Sequence, residues 1–164
     1  MTITKILFLD VDGTITDGKL YIGNDGEVFK AFDVKDGYGI KDILPKYDIT
    51  PVIITARHSK ILENRCKELG IKHIYQGCRE KRKKMIEVAE IWGLEMDADG
   101  VIKKTAYMGD DILDLPCMNI AEIKGCPADA VDEVREIADF VSKKNGGDGA
   151  VREFIEWILK ENSI

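Results

Sequence analysis

Residues 5–10 (KILFLD) form an apolar run that ends in an acid, and a second acid follows two residues later in Asp10-Val11-Asp12-Gly13-Thr14. Two carboxylates at that spacing, just past a buried strand, suit phosphoryl transfer. Asp10 is a competent covalent nucleophile toward phosphorus. Asp12, on a looping backbone, can protonate a leaving alkoxide and later deprotonate a water. Gly13 permits the turn. Turns use Asp and Gly freely, so the weight of the pattern comes from its placement directly after Leu7-Phe8-Leu9.

A second acidic group, Gly109-Asp110-Asp111-Ile112-Leu113-Asp114, also follows an apolar stretch. Carboxylates gathered beside Asp10 need a cation, and hard oxygen ligands favour Mg²⁺. Asp110 is the expected direct ligand, Asp111 a helper, and Asp114, one helical turn on, a residue behind the ligands. The competing assignment is that Asp111 and Asp114 cap and solvate the following helix. Thr55 ends the run PVIIT, where its hydroxyl and the amide of Ala56 can hold phosphate oxygens. One lysine should offset the charge of nucleophile and phosphate. The run Arg79-Glu80-Lys81-Arg82-Lys83-Lys84 offers several, and by composition any of them would serve.

These groups need elements to hold them. Residues 5–10, 51–55 and 72–76, with a run opening at Ala106, read as short strands ending at or near the candidate residues. Between and after them lie helical patterns. One is capped by Ser59 and ended by Gly70; another carries Met85, Ile86, Ala89 and Trp92. Two more cover 130–138 and 150–159. Strands alternating with helices predict an α/β fold with a mainly parallel sheet covered on both faces, and ligands bind beyond the carboxyl ends of its strands. Residues 19–32 break the alternation: KLYI, then Gly23-Asn24-Asp25-Gly26, then EVFKAF, a hairpin signal. No repeat or linker divides residues 1–164, so one domain is expected.

Apolar residues make up 45% of the chain and charged residues 33%, the balance of a soluble globular protein. The net charge of -6 argues against general nucleic-acid binding. No apolar run is long enough for a membrane span and the N-terminus does not resemble a signal peptide, so the expected location is the cytoplasm. Cys66, Cys78, Cys117 and Cys126 contain no C-x-x-C pair and only two histidines are present, which predicts reduced, mostly buried thiols rather than zinc. His58 and His73 are expected to be surface or structural residues, and Trp92 and Trp157 core residues.

The order of D-x-D-G-T, strand–Thr, Lys and G-D-D resembles the haloacid dehalogenase superfamily of phosphatases over nearly the whole chain. That resemblance implies a Rossmann-like, doubly wound sheet, with Asp10 as nucleophile and Asp12 as acid. It implies Thr55 and Lys81 as phosphate ligands, and Mg²⁺ on Asp10, Asp110 and the backbone carbonyl of Asp12. Thr55 follows Asp10 by 45 residues and Lys81 follows Thr55 by 26, which leaves no room for a cap domain. The capless pattern is similar to the 3-deoxy-D-manno-octulosonate 8-phosphate phosphatases and the related nonulosonate 9-phosphate phosphatases. The matching segments are TDGKLYI, Asp36-Gly37-Tyr38-Gly39-Ile40, Thr55-Ala56-Arg57, Tyr75-Gln76-Gly77 ahead of Lys81, and Gly146-Gly147-Asp148-Gly149-Ala150-Val151-Arg152. Ala56 departs from the group, which usually has Gly there.

The resemblance implies an acidic 2-keto-3-deoxy sugar phosphate as substrate, the eight-carbon acid favoured over a nonulosonate or N-acylneuraminate 9-phosphate. It also implies a homotetramer joined by its hairpins, with sites completed by neighbouring chains. The substrate carboxylate needs a cation of its own, and Arg57, Arg65 and Arg152 are candidates because a guanidinium pairs bidentately with carboxylate. Two other classes fit part of the pattern. A receiver domain also uses a phosphorylated Asp, but its paired acids come first and its phosphorylated Asp later. A non-catalytic tetramerisation domain associated with a sialic acid cytidylyltransferase would not need the full set of catalytic residues found here.

Overall fold

The computed structural model describes residues 3–161. Six parallel strands form the central sheet: β1 (Ile6–Leu9), β4 (Thr50–Ile54), β5 (His73–Tyr75), β6 (Ile102–Met108), β7 (Ala121–Cys126) and β8 (Phe140–Val141), in the order β5-β4-β1-β6-β7-β8. The missing numbers belong to an antiparallel hairpin, β2 (Tyr21–Gly23) and β3 (Gly26–Phe29), with the Tyr21 ring stacked on Phe29. The α/β architecture, the absence of a cap domain and the hairpin after the first strand are as the sequence implies.

All four residues of β1 are fully buried because both faces of the strand meet a core. Leu7 and Leu9 pack with residues of α2 (Lys60–Leu69) and α6 (Ala150–Glu161). Ile6 and Phe8 pack on the other side with α3 (Lys81–Ile91), α4 (Leu115–Met118) and α5 (Asp132–Ile137). β1 lies between β4 and β6, so the chain builds outward to one side and then crosses back to the other. That reversal puts a crevice at the carboxyl end of β1. Asp10, Thr55 and Asp110 all emerge there.

β7 and β8 carry little strand signal in the sequence. β8 is only two residues long, and β7 carries Lys124 and Gly125 within a short alternating run. β6 begins four residues before its apolar run, across an irregularity at Lys104, which takes a positive φ of 63°. Helical structure over 34–47 is likewise unmarked in the sequence. It starts at α1 (Val34–Tyr38), where the Asp33 carboxylate accepts the Lys35 and Asp36 amides, and continues through a π turn and a 3₁₀ turn. Gly37, Gly39 and Pro45 hide that helix from any propensity argument. Trp92 is not a core residue: it is 39% exposed and makes a T-shaped contact with the His73 ring, whereas Trp157 stacks on Phe140 and Phe154. Cys66, Cys117 and Cys126 are buried, free thiols. Among the described residues no helix is long and apolar enough to cross a membrane.

The glycine-rich loop over 146–149 ties α6 to the rim. Buried Asp36 accepts the amides of Gly149 (3.3 Å) and Arg152 (2.9 Å), capping α6 from another segment. The Gly147 amide donates to the Thr14 carbonyl at 3.2 Å. At Gly146 the two loops approach so closely that a Cβ would lie 1.9 Å from the Gly13 carbonyl oxygen. Gly146→Ala therefore pushes on the turn that follows Asp10. It should cost about 1–3 kcal/mol of stability by urea unfolding. Wild-type stability in this variant contradicts the packing described.

Candidate active site

Asp10 leaves β1 with its amide bonded to the Met108 carbonyl (3.0 Å) and its side chain almost buried. Lys81, the first residue of α3, reaches across the crevice. Its Nζ donates to Asp10 Oδ1 at 2.6 Å and to Asp114 Oδ1 at 2.8 Å. A helix N-terminus disfavours a cation, and burial opposes the lysine's charge. The two carboxylates outweigh both and hold the ammonium well above the usual lysine range.

Asp114 is 1% exposed and fully engaged. Its Oδ1 accepts the Tyr107 hydroxyl at 2.7 Å as well as Lys81, and its Oδ2 accepts the amides of Asp110 (3.0 Å) and Asp111 (3.2 Å). It is therefore neither a solvated helix residue nor a free ligand; it orients Lys81 and the Asp110 backbone. Asp111, expected as a helper to the metal, lines the same cleft. It is exposed, and its carboxylate caps the amide of Ile112 at 2.7 Å, because the turn Ile112–Asp114 needs an N-cap.

Carboxylate oxygens of Asp10, Asp110 and Asp114 lie within 4.8 Å of one another. Asp110 rests on Gly13, whose φ of +96° suits glycine; a Cβ there would fall 1.9 Å from Asp110 Oδ2. Burial raises Asp10 to about 7, with repulsion from Asp114 adding and Lys81 opposing. Burial, then Asp10 and Asp114, raise Asp110 to about 8. Oxygen-only donors with surplus negative charge match a small hard dication.

Across a cleft of about 280 Å³ stand Asp12, Thr55, Ala56 and Arg57. Thr55 is buried, and its loop is tied down by its neighbours. The Gly77 amide donates to the Arg57 carbonyl at 3.1 Å, and Gln76 Oε1 accepts the Ser59 amide at 2.7 Å. That explains the Gln76-Gly77 pair ahead of Lys81: it braces the Thr55 loop. Asp12 Oδ1 accepts Lys30 Nζ at 2.6 Å, and its Oδ2 lies 3.8 Å from Arg57 Nε.

The structure does not bring Arg65 or Arg152 to this cleft. Arg65 bonds Glu68 at 2.8 Å and lies over the Phe32 ring, because its position on α2 turns it toward α1. Arg152 bonds Glu156 and covers Tyr38. Tyr107 and Lys30 belong to the site but to none of its sequence motifs. Tyr107 left a signal, a polar group inside an apolar strand; Lys30 left none, since its partner is 18 residues away.

No family model matches the chain. It is 41% identical over 155 residues to the 3-deoxy-D-manno-octulosonate 8-phosphate phosphatase KdsC of Escherichia coli K12, covering 94% of this chain and 79% of that protein. The structure of the 3-deoxy-D-manno-octulosonate 8-phosphate phosphatase from Yersinia pestis superposes with a TM-score of 0.89 at 39% identity, over 98% of this chain and 83% of that one. The Moraxella catarrhalis phosphatase of the same name, solved with magnesium, phosphate and KDO, gives a TM-score of 0.89 at 36% identity, over 98% and 88%.

Raised carboxyl pKa values have a stability consequence with a definite sign. Folded Asp10 and Asp110 retain protons at pH values where the unfolded chain has released them. Metal-free stability therefore falls as pH rises from the ordinary carboxylate range through about 8. In a chelator the melting temperature should be lower at pH 8 than at pH 5.5. Asp110→Asn, which removes one competing charge, should raise it at pH 8 and flatten the slope. An unchanged slope in that variant would exclude carboxylate crowding as the cause.

Proposed function

The chain belongs to the 3-deoxy-D-manno-octulosonate 8-phosphate phosphatases of the haloacid dehalogenase superfamily, and from that premise we propose that it hydrolyses the phosphate monoester of this eight-carbon sugar acid through an aspartyl-phosphate. The observation that carries the proposal is the buried Asp10–Lys81–Asp114 array beside Asp110, with Asp12 facing the same cleft.

Asp10 attacks phosphorus and the bond to the sugar oxygen breaks, while Asp12 delivers a proton to the departing alkoxide. Asp12 then takes a proton from a water that attacks the same phosphorus. The bond to Asp10 breaks, phosphate leaves and the carboxylate is restored. Lys81, the Thr55 hydroxyl and the Ala56 amide hold the phosphoryl oxygens, with Asp114 and Tyr107 keeping Lys81 aimed. Asp10, Asp110 and the Asp12 carbonyl would hold Mg²⁺; Asp114, with its oxygens already occupied, stays behind them. Mg²⁺, when bound, screens Asp10 from the phosphate dianion and neutralises charge on the transferring group. Arg57, 45% exposed at the rim, is the cation within this chain best placed for the substrate carboxylate.

Turnover of a panel of sugar phosphates tests this directly. The eight-carbon 2-keto-3-deoxy acid phosphate should give the highest kcat/KM. Nonulosonate and N-acylneuraminate 9-phosphates should follow, and neutral hexose phosphates come last. Chelation should abolish activity and Mg²⁺ restore it, and Asp10→Asn should lose several orders of magnitude while remaining folded. Near-normal turnover in Asp10→Asn, or preference for a nine-carbon substrate, contradicts the reading.

The working unit we propose is a homotetramer built on the hairpin. Leu20, Ile22, Val28 and Phe29 are each 46–61% exposed there. A two-stranded hairpin is marginal by itself, and its open edges invite pairing. Light scattering should report four chains for the wild type and a smaller species for Phe29→Asp. A monodisperse, active wild-type monomer at assay concentration rules the assembly out.

A further inference from the structure

We propose that Lys30 is the positioning residue for Asp12: it pins one carboxylate oxygen so that the other is presented to the leaving group, which makes the hairpin part of the acid–base machinery. This rests on Asp12 acting as acid and base in the reaction above.

Lys30 follows directly on β3, yet its side chain is only 3% exposed. A lysine on a small hairpin ordinarily keeps its ammonium in water, because removing that charge from solvent is costly unless it is paired. Here it is paired twice: Nζ reaches Asp12 Oδ1 at 2.6 Å and Glu27 Oε1 at 2.8 Å. The second oxygen of Asp12 is left toward Arg57 and the cleft at 3.8 Å. A carboxylate held by one oxygen no longer exchanges its two oxygens by rotation, so a single geometry faces the reacting ester.

The other end of the clamp is also anchored. Glu27 Oε2 accepts the Ser59 hydroxyl at 2.5 Å, and Ser59 is the N-cap of α2, whose oxygen accepts the Leu62 amide. A continuous chain of contacts therefore runs from α2 through Ser59, Glu27 and Lys30 to Asp12. It joins the loop that carries Thr55 and Arg57 to the turn that carries the acid. The hairpin thereby sets the position of the proton donor relative to the phosphate-binding loop.

The consequence is selective for the leaving group. An alkoxide from a sugar phosphate needs its proton as the ester bond breaks, whereas a nitrophenolate leaves without one. Positioned proton transfer contributes about 10²- to 10⁴-fold to such a step. The test compares kcat/KM for the sugar phosphate and for p-nitrophenyl phosphate, since this ratio reports the first chemical step, in wild type, Lys30→Met, Lys30→Arg and Asp12→Asn.

Lys30→Met keeps the stem and removes the charge. It should lose about ten- to a hundredfold more on the sugar phosphate than on the aryl phosphate, and Lys30→Arg should recover most of that difference. Light scattering should show the assembly unchanged. If Lys30→Met does not fold, Glu27→Gln, which loosens Lys30 while leaving it in place, carries the same comparison with a smaller selective loss. Equal losses on both substrates in the folded variant, or no loss on the sugar phosphate, overturn the proposal. Selectivity in Asp12→Asn without selectivity in Lys30→Met overturns the Lys30 assignment alone. No selectivity in either overturns the acid–base reading of Asp12 and this proposal with it.

Discussion

Crowded, buried negative charge at the end of β1 is the constraint around which the rest of this molecule is arranged. Asp10, Asp110 and Asp114 approach within 4.8 Å with a single lysine among them. Two unit charges at about 4 Å repel by about 4 kcal/mol in a protein-like dielectric, a large share of the ~5–15 kcal/mol by which domains are stable. Each compensation can be identified. Lys81 spans two of the acids, Tyr107 and two backbone amides occupy the oxygens of Asp114, and the bare surface of Gly13 lets Asp110 approach. The residual negative charge favours a hard dication, so the electrostatic cost of folding is also the driving force for binding that ion.

Such a cluster survives only on a rigid base. β1 supplies it, buried on both faces and paired on both edges, with its flanking helices closing two cores. The strand order places β4 and β6 beside it, which brings residues 10, 55 and 110 to one rim. Reaching that arrangement closes long loops, and the apolar burial in both cores is what offsets the loop-closure entropy.

The hairpin takes the place of a cap without covering the cleft. Its outer face is apolar and exposed, while its stem contributes Gly18 and Leu20 to the cleft wall. It carries two kinds of side chain: exposed aromatic and branched residues on its outer face, and Glu27 and Lys30 turned toward Asp12.

Much of the site was legible from sequence because strand ends are local features. An apolar run that stops at Asp10, Thr55 or Gly109-Asp110 announces where a parallel strand leaves the core, and the carboxyl end is where ligands bind. Helix caps were equally legible: Ser59 and Gly70 bound α2 as their side-chain chemistry requires. The sequence by itself thus determined the fold class, the hairpin and the identity of the rim acids. Tertiary structure decided where each acid is placed: Asp114 turned inward and Asp111 outward, although both are Asp on one short turn, because only Asp114 meets Lys81 and Tyr107. It likewise separated Arg57 from Arg65 and Arg152, and it chose Lys30, whose partner lies 18 residues back. A side chain's type is written in the sequence, but its role depends on which charges surround it, and those come from segments that only folding brings together.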